Sequence, residues 1–185
     1  MSLASFHYAF TSRDELMAEL VNTVVAGEAD ALAPTLQPST ARERPRTMRD
    51  AVRAGLQSYL DGVRADPDRE KAMFELTQWA LREPGFEALA RRQYERYFEL
   101  AESTLVAAAA LTGCTWSVPA AQVARVLVML TDGLTIAWLV TRDDAAATAA
   151  MDFAADAVSA LSAPAVPRPE PHPAIPAPDT NAGIR

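Results

Sequence analysis

A single cysteine, Cys114, and two histidines, His7 and His172, leave this chain with little of the side-chain chemistry that metal centres and nucleophilic catalysis draw on. One cysteine cannot form an intramolecular disulfide, so a reducing compartment is the default. His172 falls in a proline-rich tail and His7 near the start, so there is no Glu-x-x-His pair for a di-iron bundle and no His/Cys set for zinc. No P-loop, G-x-G-x-x-G or G-x-S-x-G occurs, and acidic pairs such as Glu99 and Glu102 fall on a helix surface, where they solvate it. The residues point to no enzyme, no metal and no cofactor. Glycine is scarce, 7 of 185 residues, in an alanine-rich chain that is 50% hydrophobic and 7% aromatic. That composition favours helices around one sizeable core, and an all-α fold is expected. Basic residues are outnumbered, 17 against 24 acidic, for a net charge of -7. This excludes a nucleic-acid binder with a wholly basic surface and leaves room for a small DNA-binding head on an acidic body. Long hydrophobic runs are missing too: Val126 to Val140 is too short to span a bilayer and contains Asp132, and no signal peptide is visible. The reading is a soluble cytoplasmic protein with no membrane partner.

What is present begins with SLASFHYAFTSRDEL, residues 2–16. Leu3, Phe6 and Phe10 recur at i, i+3 and i+7, so a short helix buries them on one stripe and turns Ser2, Ser5 and His7 outward. That small polar face suits a major groove, where Ser reaches base edges or phosphates and His or Tyr donates to phosphates. Ser12 and Glu15 form an S-x-x-E capping box for a second helix, with Asp14 and Glu15 at the positive end of its dipole. Arg13 in that first turn, beside free N–H groups, makes a phosphate clamp. The same spacing also describes any short helix followed by a tight turn and an amphipathic helix.

Helix signals then follow one another. Arg13 to about Leu32 carries Leu16, Leu20 and Val24 on one face and is broken by Pro34, Pro38 and Pro45. From Thr47 to about Ala65 the stripe is Val52, Leu56, Tyr59 and Val63; Asp66-Pro67 then opens a third helix that stops before Pro84. Phe86 to about Leu111 runs through Leu89, Tyr94, Tyr97, Phe98, Ala101 and Leu105 and ends at Gly113, leaving Cys114 in a loop. Ser117 to about Thr141 and Asp144 to about Leu161 form a final pair. Seven of the 13 prolines fall between Pro164 and Pro178, which reads as an extended or disordered tail. The expected division is a partial DNA-binding head at 1–32, a sensing and dimerisation domain at 45–162, and the tail at 163–185.

The run SFHYAFTSRDEL, residues 5–16, closely resembles the segment that ends the helix-turn-helix of TetR-family transcriptional regulators. Position by position, the resemblance puts Ser2 and Ser5 on the groove face of the recognition helix. It sets His7 where the family usually has a phosphate-contacting Tyr, Tyr8 at the next aromatic position, Phe10 as core anchor and Arg13 in place of a phosphate-binding Lys. His7 for Tyr, and Ala9 where His is frequent, depart from the pattern. The resemblance further implies two helices and a turn ahead of Ser2. Met1 stands where the family often has Val, as an internal GTG codon taken for a start would give, and the expectation is that the front of the head is missing from this sequence. Further on, FELTQWALREPGFEAL (74–89) and MLTDGLTIAWLV (129–140) resemble the ligand-sensing body of the same family.

That resemblance implies a TetR-like helical bundle with a small, largely apolar effector in its body. Met73, Phe74, Trp79 and Tyr97, with Tyr59, are candidate pocket residues, although such side chains equally make ordinary core. Thr77, Thr131 and Thr135 are hydroxyls on apolar helix faces that can orient a ligand or bond the carbonyl one turn back. Gly133, costly inside a helix, suggests close approach of another helix or of a ligand. Leu127, Leu130, Leu134 and Trp138 on one helix, with Phe153, Ala157 and Leu161 on the next, offer more apolar surface than a peripheral hairpin should expose. In the family the last two helices form a four-helix bundle with their symmetry mates, which implies a C2 homodimer.

Two functions remain open. One is a one-component transcriptional regulator, a repressor, that binds operator DNA when the missing helices are present. The other is a headless homodimeric ligand-binding or interaction protein without DNA binding.

Overall fold

The computed structural model of the chain describes residues 45–165 continuously, together with Ser12, Glu15, Leu16, Glu19 and Thr23. The expected groove-facing residues Ser2, Ser5, His7, Tyr8 and Arg13, and the tail from 166 onward, lie outside the described residues. Of the expected capping box, the Ser12 half is in place: its Oγ accepts from the Glu15 N–H at 3.1 Å, and its carbonyl from the Leu16 N–H at 3.3 Å.

Five helices make up most of the described fold: α1 Met48–Ala65, α2 Pro67–Arg82, α3 Glu87–Thr112, α4 Ala120–Thr141 and α5 Asp144–Ser159. Their starts follow from local capping chemistry. Thr47 Oγ1 accepts from the Asp50 N–H, an Asp66 carboxylate oxygen from the Arg69 N–H with Pro67 at the first helical position, and Asp143 Oδ1 from the Ala146 N–H. Gly113 ends α3 with φ 66, a conformation glycine adopts without steric cost.

Along α1, Met48, Val52, Leu56, Leu60 and Val63 are all buried, a stripe at helical spacing. It packs against α5 through Ala147, Met151, Ala154, Ala155 and Val158, and the same core takes in Leu105 of α3 and Val123, Ala124, Leu134 and Trp138 of α4. A smaller cluster at the α2–α3 corner joins Met73, Ala80, Leu89 and Ala90, with Trp79 tilted against Phe86 at 4.7 Å between ring centroids. On the outer side of the α1–α5 seam, Arg49 and Arg53 of α1 pair with Asp156 and Asp152 of α5.

Two short strands were not expected. β1 Cys114–Trp116 pairs antiparallel with β2 Ser162–Pro164, Thr115 facing Ala163, and the Ala165 N–H donates to the Gly113 carbonyl at 2.9 Å. Cys114 therefore sits in a strand rather than a loop, α4 begins at Ala120 after Pro119 instead of Ser117, and β2 runs across the boundary expected between 162 and 163. Three-residue segments carry too little alternation to stand out as strands.

The helix α4 has 22 residues and is, by length and composition, long and apolar enough to cross a membrane. The shorter run counted from sequence stopped at Val126 because Arg125 precedes it. In the fold α4 is a wall of the bundle, packed between α3 and α5.

Candidate functional site

A cavity of about 170 Å³ lies among α1, α2, α3 and α4. Each helix presents one face to it at helical spacing. From α2 come Glu70, Met73, Phe74 and Thr77; from α3, Gln93, Tyr94, Tyr97 and Ala101; from α1, Ala51, Gly55, Ser58 and Tyr59; from α4, Leu127, Val128, Thr131 and Asp132. The lining is mostly apolar with a few convergent polar groups, the make-up of a small-molecule site.

Those polar groups are largely bonded to one another. Thr77 Oγ1 lies 3.0 Å from both Gln93 Oε1 and the Met73 carbonyl. Gln93, 2% exposed, donates through Nε2 to the Tyr97 hydroxyl at 3.1 Å. Glu70 is buried, and its Oε1 receives both Arg69 Nε and Nη2, so this carboxylate is paired at the cavity. The Tyr94 hydroxyl donates to Asp132 Oδ2 at 2.8 Å. Burial pushes the Asp132 carboxyl above the ordinary carboxylate range, against the Tyr94 hydrogen bond that pulls it down. Burial also pushes the Tyr94 hydroxyl up to about 12, helped by the bond to Asp132 and by its charge. The two groups share a half-buried wall, and Asp132 has no ion-pair partner among the described residues.

Six of the eight expected pocket residues line the cavity: Tyr59, Met73, Phe74, Thr77, Tyr97 and Thr131. Two do not. Trp79 is two positions past Thr77, about 200° round α2 and so on its far face, and packs on Phe86 at the corner. Thr135 is fully buried, and its hydroxyl lies 2.6 Å from that of Tyr59, which does line the cavity. The alternative for hydroxyls, a bond to the carbonyl one turn back, holds at Thr131, on the Val128 carbonyl at 2.9 Å, and at Thr77, on the Met73 carbonyl at 3.0 Å. Sequence reasoning missed Gln93, Tyr94 and Asp132. An available signal was Asp132, an acidic residue at the centre of an otherwise largely apolar helix.

The expected dimer face needs correction. Leu134 and Trp138 are buried within the protomer, and the Trp138 indole N–H donates to Asp144 Oδ1 at 2.8 Å. Leu127 lines the cavity, while Leu130 and Leu161 pack half-buried against the core. Of the seven expected residues, Phe153 and Ala157 stand exposed. From Leu127 on, α4 carries large apolar side chains on the Leu134–Trp138 and the Met129–Val140 sides alike, so periodicity could not say which stripe faced outward. The open stripe is Met129, Gly133, Ile136 and Val140, with Met129 65% and Val140 77% exposed, beside Phe153 of α5 at 69%. Between them runs a groove floored by Leu134 and Trp138 and edged by Gly133, Ala137, Ala146 and Ala150. A Cβ added at Gly133 would meet nothing within 4 Å, so no close approach inside the protomer accounts for that glycine.

Residues 45–163 match the family model of BetI-type transcriptional repressor C-terminal domains. The HTH-type nicotine-responsive transcriptional repressor HdnoR of Paenarthrobacter nicotinovorans is 31% identical over 149 residues, 77% of this chain and 70% of that protein. No solved structure matches the chain.

Proposed function

Because the chain belongs to the TetR family of transcriptional regulators, we propose that it is a one-component repressor whose hold on operator DNA is controlled by a small, largely apolar effector bound in the α1–α4 cavity. The observation that carries this reading is the cavity itself: a largely apolar space among four helices, with the buried Thr77 and Gln93 bonded to each other and on to Tyr97, and the Tyr94–Asp132 bond in its wall. A relative described as nicotine-responsive supports a small organic molecule as the kind of effector.

In this reading residues 1–32 belong to the DNA-binding head, where Ser2 and Ser5 meet the groove and His7, Tyr8 and Arg13 meet phosphates. Residues 45–163 hold the effector and dimerise. TetR-family repressors are dimers, and the stripe of Met129, Gly133, Ile136 and Val140 with Phe153 is the surface of this chain that suits a C2 partner, an isologous contact between α4–α5 pairs. Leu130 and Ala157 flank it. The site of action is the cytoplasm, where the operator is.

The test is a gel-shift titration of the protein, as its gene encodes it, against the DNA upstream of that gene, with and without compounds found by thermal shift. A shifted pseudo-palindromic fragment released by a cavity-binding compound is expected. Sequence-specific binding that no cavity ligand alters would refute effector control, and absence of any DNA binding would favour the headless ligand-binding protein.

A further inference from the structure

We infer that the effector carries a positive charge: an organic cation with an apolar or aromatic body, its charged nitrogen held at Asp132. This inference rests on the reading of the cavity as the effector site and adds the charge class to it.

Among the described residues, three side chains that carry a formal charge line the cavity: Arg69, Glu70 and Asp132. Arg69 and Glu70 neutralise each other through two hydrogen bonds to one carboxylate oxygen. Tyr94 stays a neutral phenol at physiological pH. Among the described lining residues the formal balance is therefore one negative charge, at Asp132. That carboxylate sits among apolar side chains with one hydrogen bond, from Tyr94, and no cation within ion-pair distance among the described residues. A carboxylate withdrawn from water without a counter-charge is unfavourable, and a ligand that brings the counter-charge is favoured by it.

Aromatic rings supply a second attraction. Tyr94 and Tyr97 stand edge-to-face at 5.9 Å, and Tyr59 and Phe74 reach the same space from α1 and α2. Aromatic faces around an anion suit ammonium groups through cation–π attraction. An anionic effector meets the opposite conditions, since Arg69, the guanidinium among the described lining residues, is already engaged by Glu70.

The experiment is calorimetric titration of the full chain with aryl-trimethylammonium salts of increasing length, each paired with its uncharged tert-butyl analogue of the same shape. The expected result is that the charged member of at least one pair binds about 10- to 100-fold more tightly, the range of a charge-assisted contact. Asp132→Asn, which still accepts from Tyr94, should bring the two to parity, and Asp132→Glu should restore part of the difference. Equal or tighter binding of the uncharged partner overturns the inference while leaving the cavity reading intact. A preference that survives Asp132→Asn overturns the assignment to Asp132. Binding of neither member of any pair overturns the inference and the cavity reading together. The paired comparison uses the unaltered protein, so it decides the matter even if Asp132→Asn fails to fold.

Discussion

Tyr94 on α3 and Asp132 on α4 are joined across the cavity wall by one hydrogen bond of 2.8 Å, phenol to carboxylate. Both titrations are displaced by it and by burial. With the Tyr94 hydroxyl at about 12, this phenol remains protonated in the fold after it would ionise in the unfolded chain. Its contribution to stability is complete below about pH 10 and is lost as pH rises toward 12. An alkaline absorbance titration should show a late-ionising phenol component that is lost in Tyr94→Phe. Its persistence would contradict the placement of Tyr94.

Asp132 gives the complementary test. Its folded pKa is raised, so the folded state takes up this proton before the unfolded state does, and its charge opposes folding at neutral pH. Asp132→Asn should therefore be more stable than the parent at pH 7, with a difference that shrinks as pH falls through the raised Asp132 pKa. Denaturant midpoints of both proteins across that range check the sign. A variant that loses stability at pH 7 would show that the carboxylate serves the fold.

Filling the cavity should separate fold from function. Ala101 is half-buried in the lining, and Ala101→Leu adds apolar volume where there is space for it. An increase of about 0.5–2 kcal/mol in stability, seen as a higher thermal midpoint, is expected together with loss of ligand binding. A lower midpoint with binding unchanged would mean that the space is filled by side-chain rearrangement instead.

For the dimer, Met129→Glu and Phe153→Glu place charges at exposed positions, so each protomer should keep its fold while an apolar interface acquires an unpaired charge costing several kcal/mol. Light scattering should report monomer for both. Trp138→Glu should instead unfold the protomer, because it removes a buried indole bonded to Asp144.

The α4–α5 turn offers a backbone test. Arg142 holds a left-handed conformation, φ 55, while its guanidinium lies 4.2 Å over the Trp138 ring. Arg142→Gly loses a stack of about 0.5–1 kcal/mol and relieves about 1 kcal/mol of backbone strain, leaving stability nearly unchanged. Arg142→Ala loses the stack and keeps the strain, so it should be less stable than the glycine variant by about 1 kcal/mol. Equal stability of the two variants would contradict this account.

Much of the helical frame was legible in residues. Pro67 behind Asp66, Gly113 after the long helix and the Val52–Leu56–Val63 stripe are short-range signals, and the structure places caps and core there. Cavity residues on the amphipathic α2 were legible for the same reason, except Trp79, which lies on the face away from Met73, Phe74 and Thr77. What could not be read was which side of α4 looks outward. Its second half is apolar on both the Trp138 and the Met129 sides, so the choice between them is made by packing against α1 and α5, through residues distant in the chain. The β1–β2 ladder is likewise long-range, joining segments about fifty residues apart.

Asp132 lines the cavity and Gly133, the next residue, lies on the open groove. One turn of one helix thus belongs to both of the proposed binding surfaces at once. Thermodynamic linkage then makes the two occupants report on each other: if effector binding changes the dimerisation constant by some factor, dimerisation changes effector affinity by the same factor. Effector affinity measured on diluted protein should consequently drift with protein concentration across the dissociation midpoint. Gly133→Ala probes the joint from one side. Its new methyl meets no atom of its own protomer, so in a monomeric background it should add about 0.5–1 kcal/mol of helix stability. In the dimer it should weaken both self-association and the concentration dependence of effector binding, because the methyl occupies the space a second helix would enter.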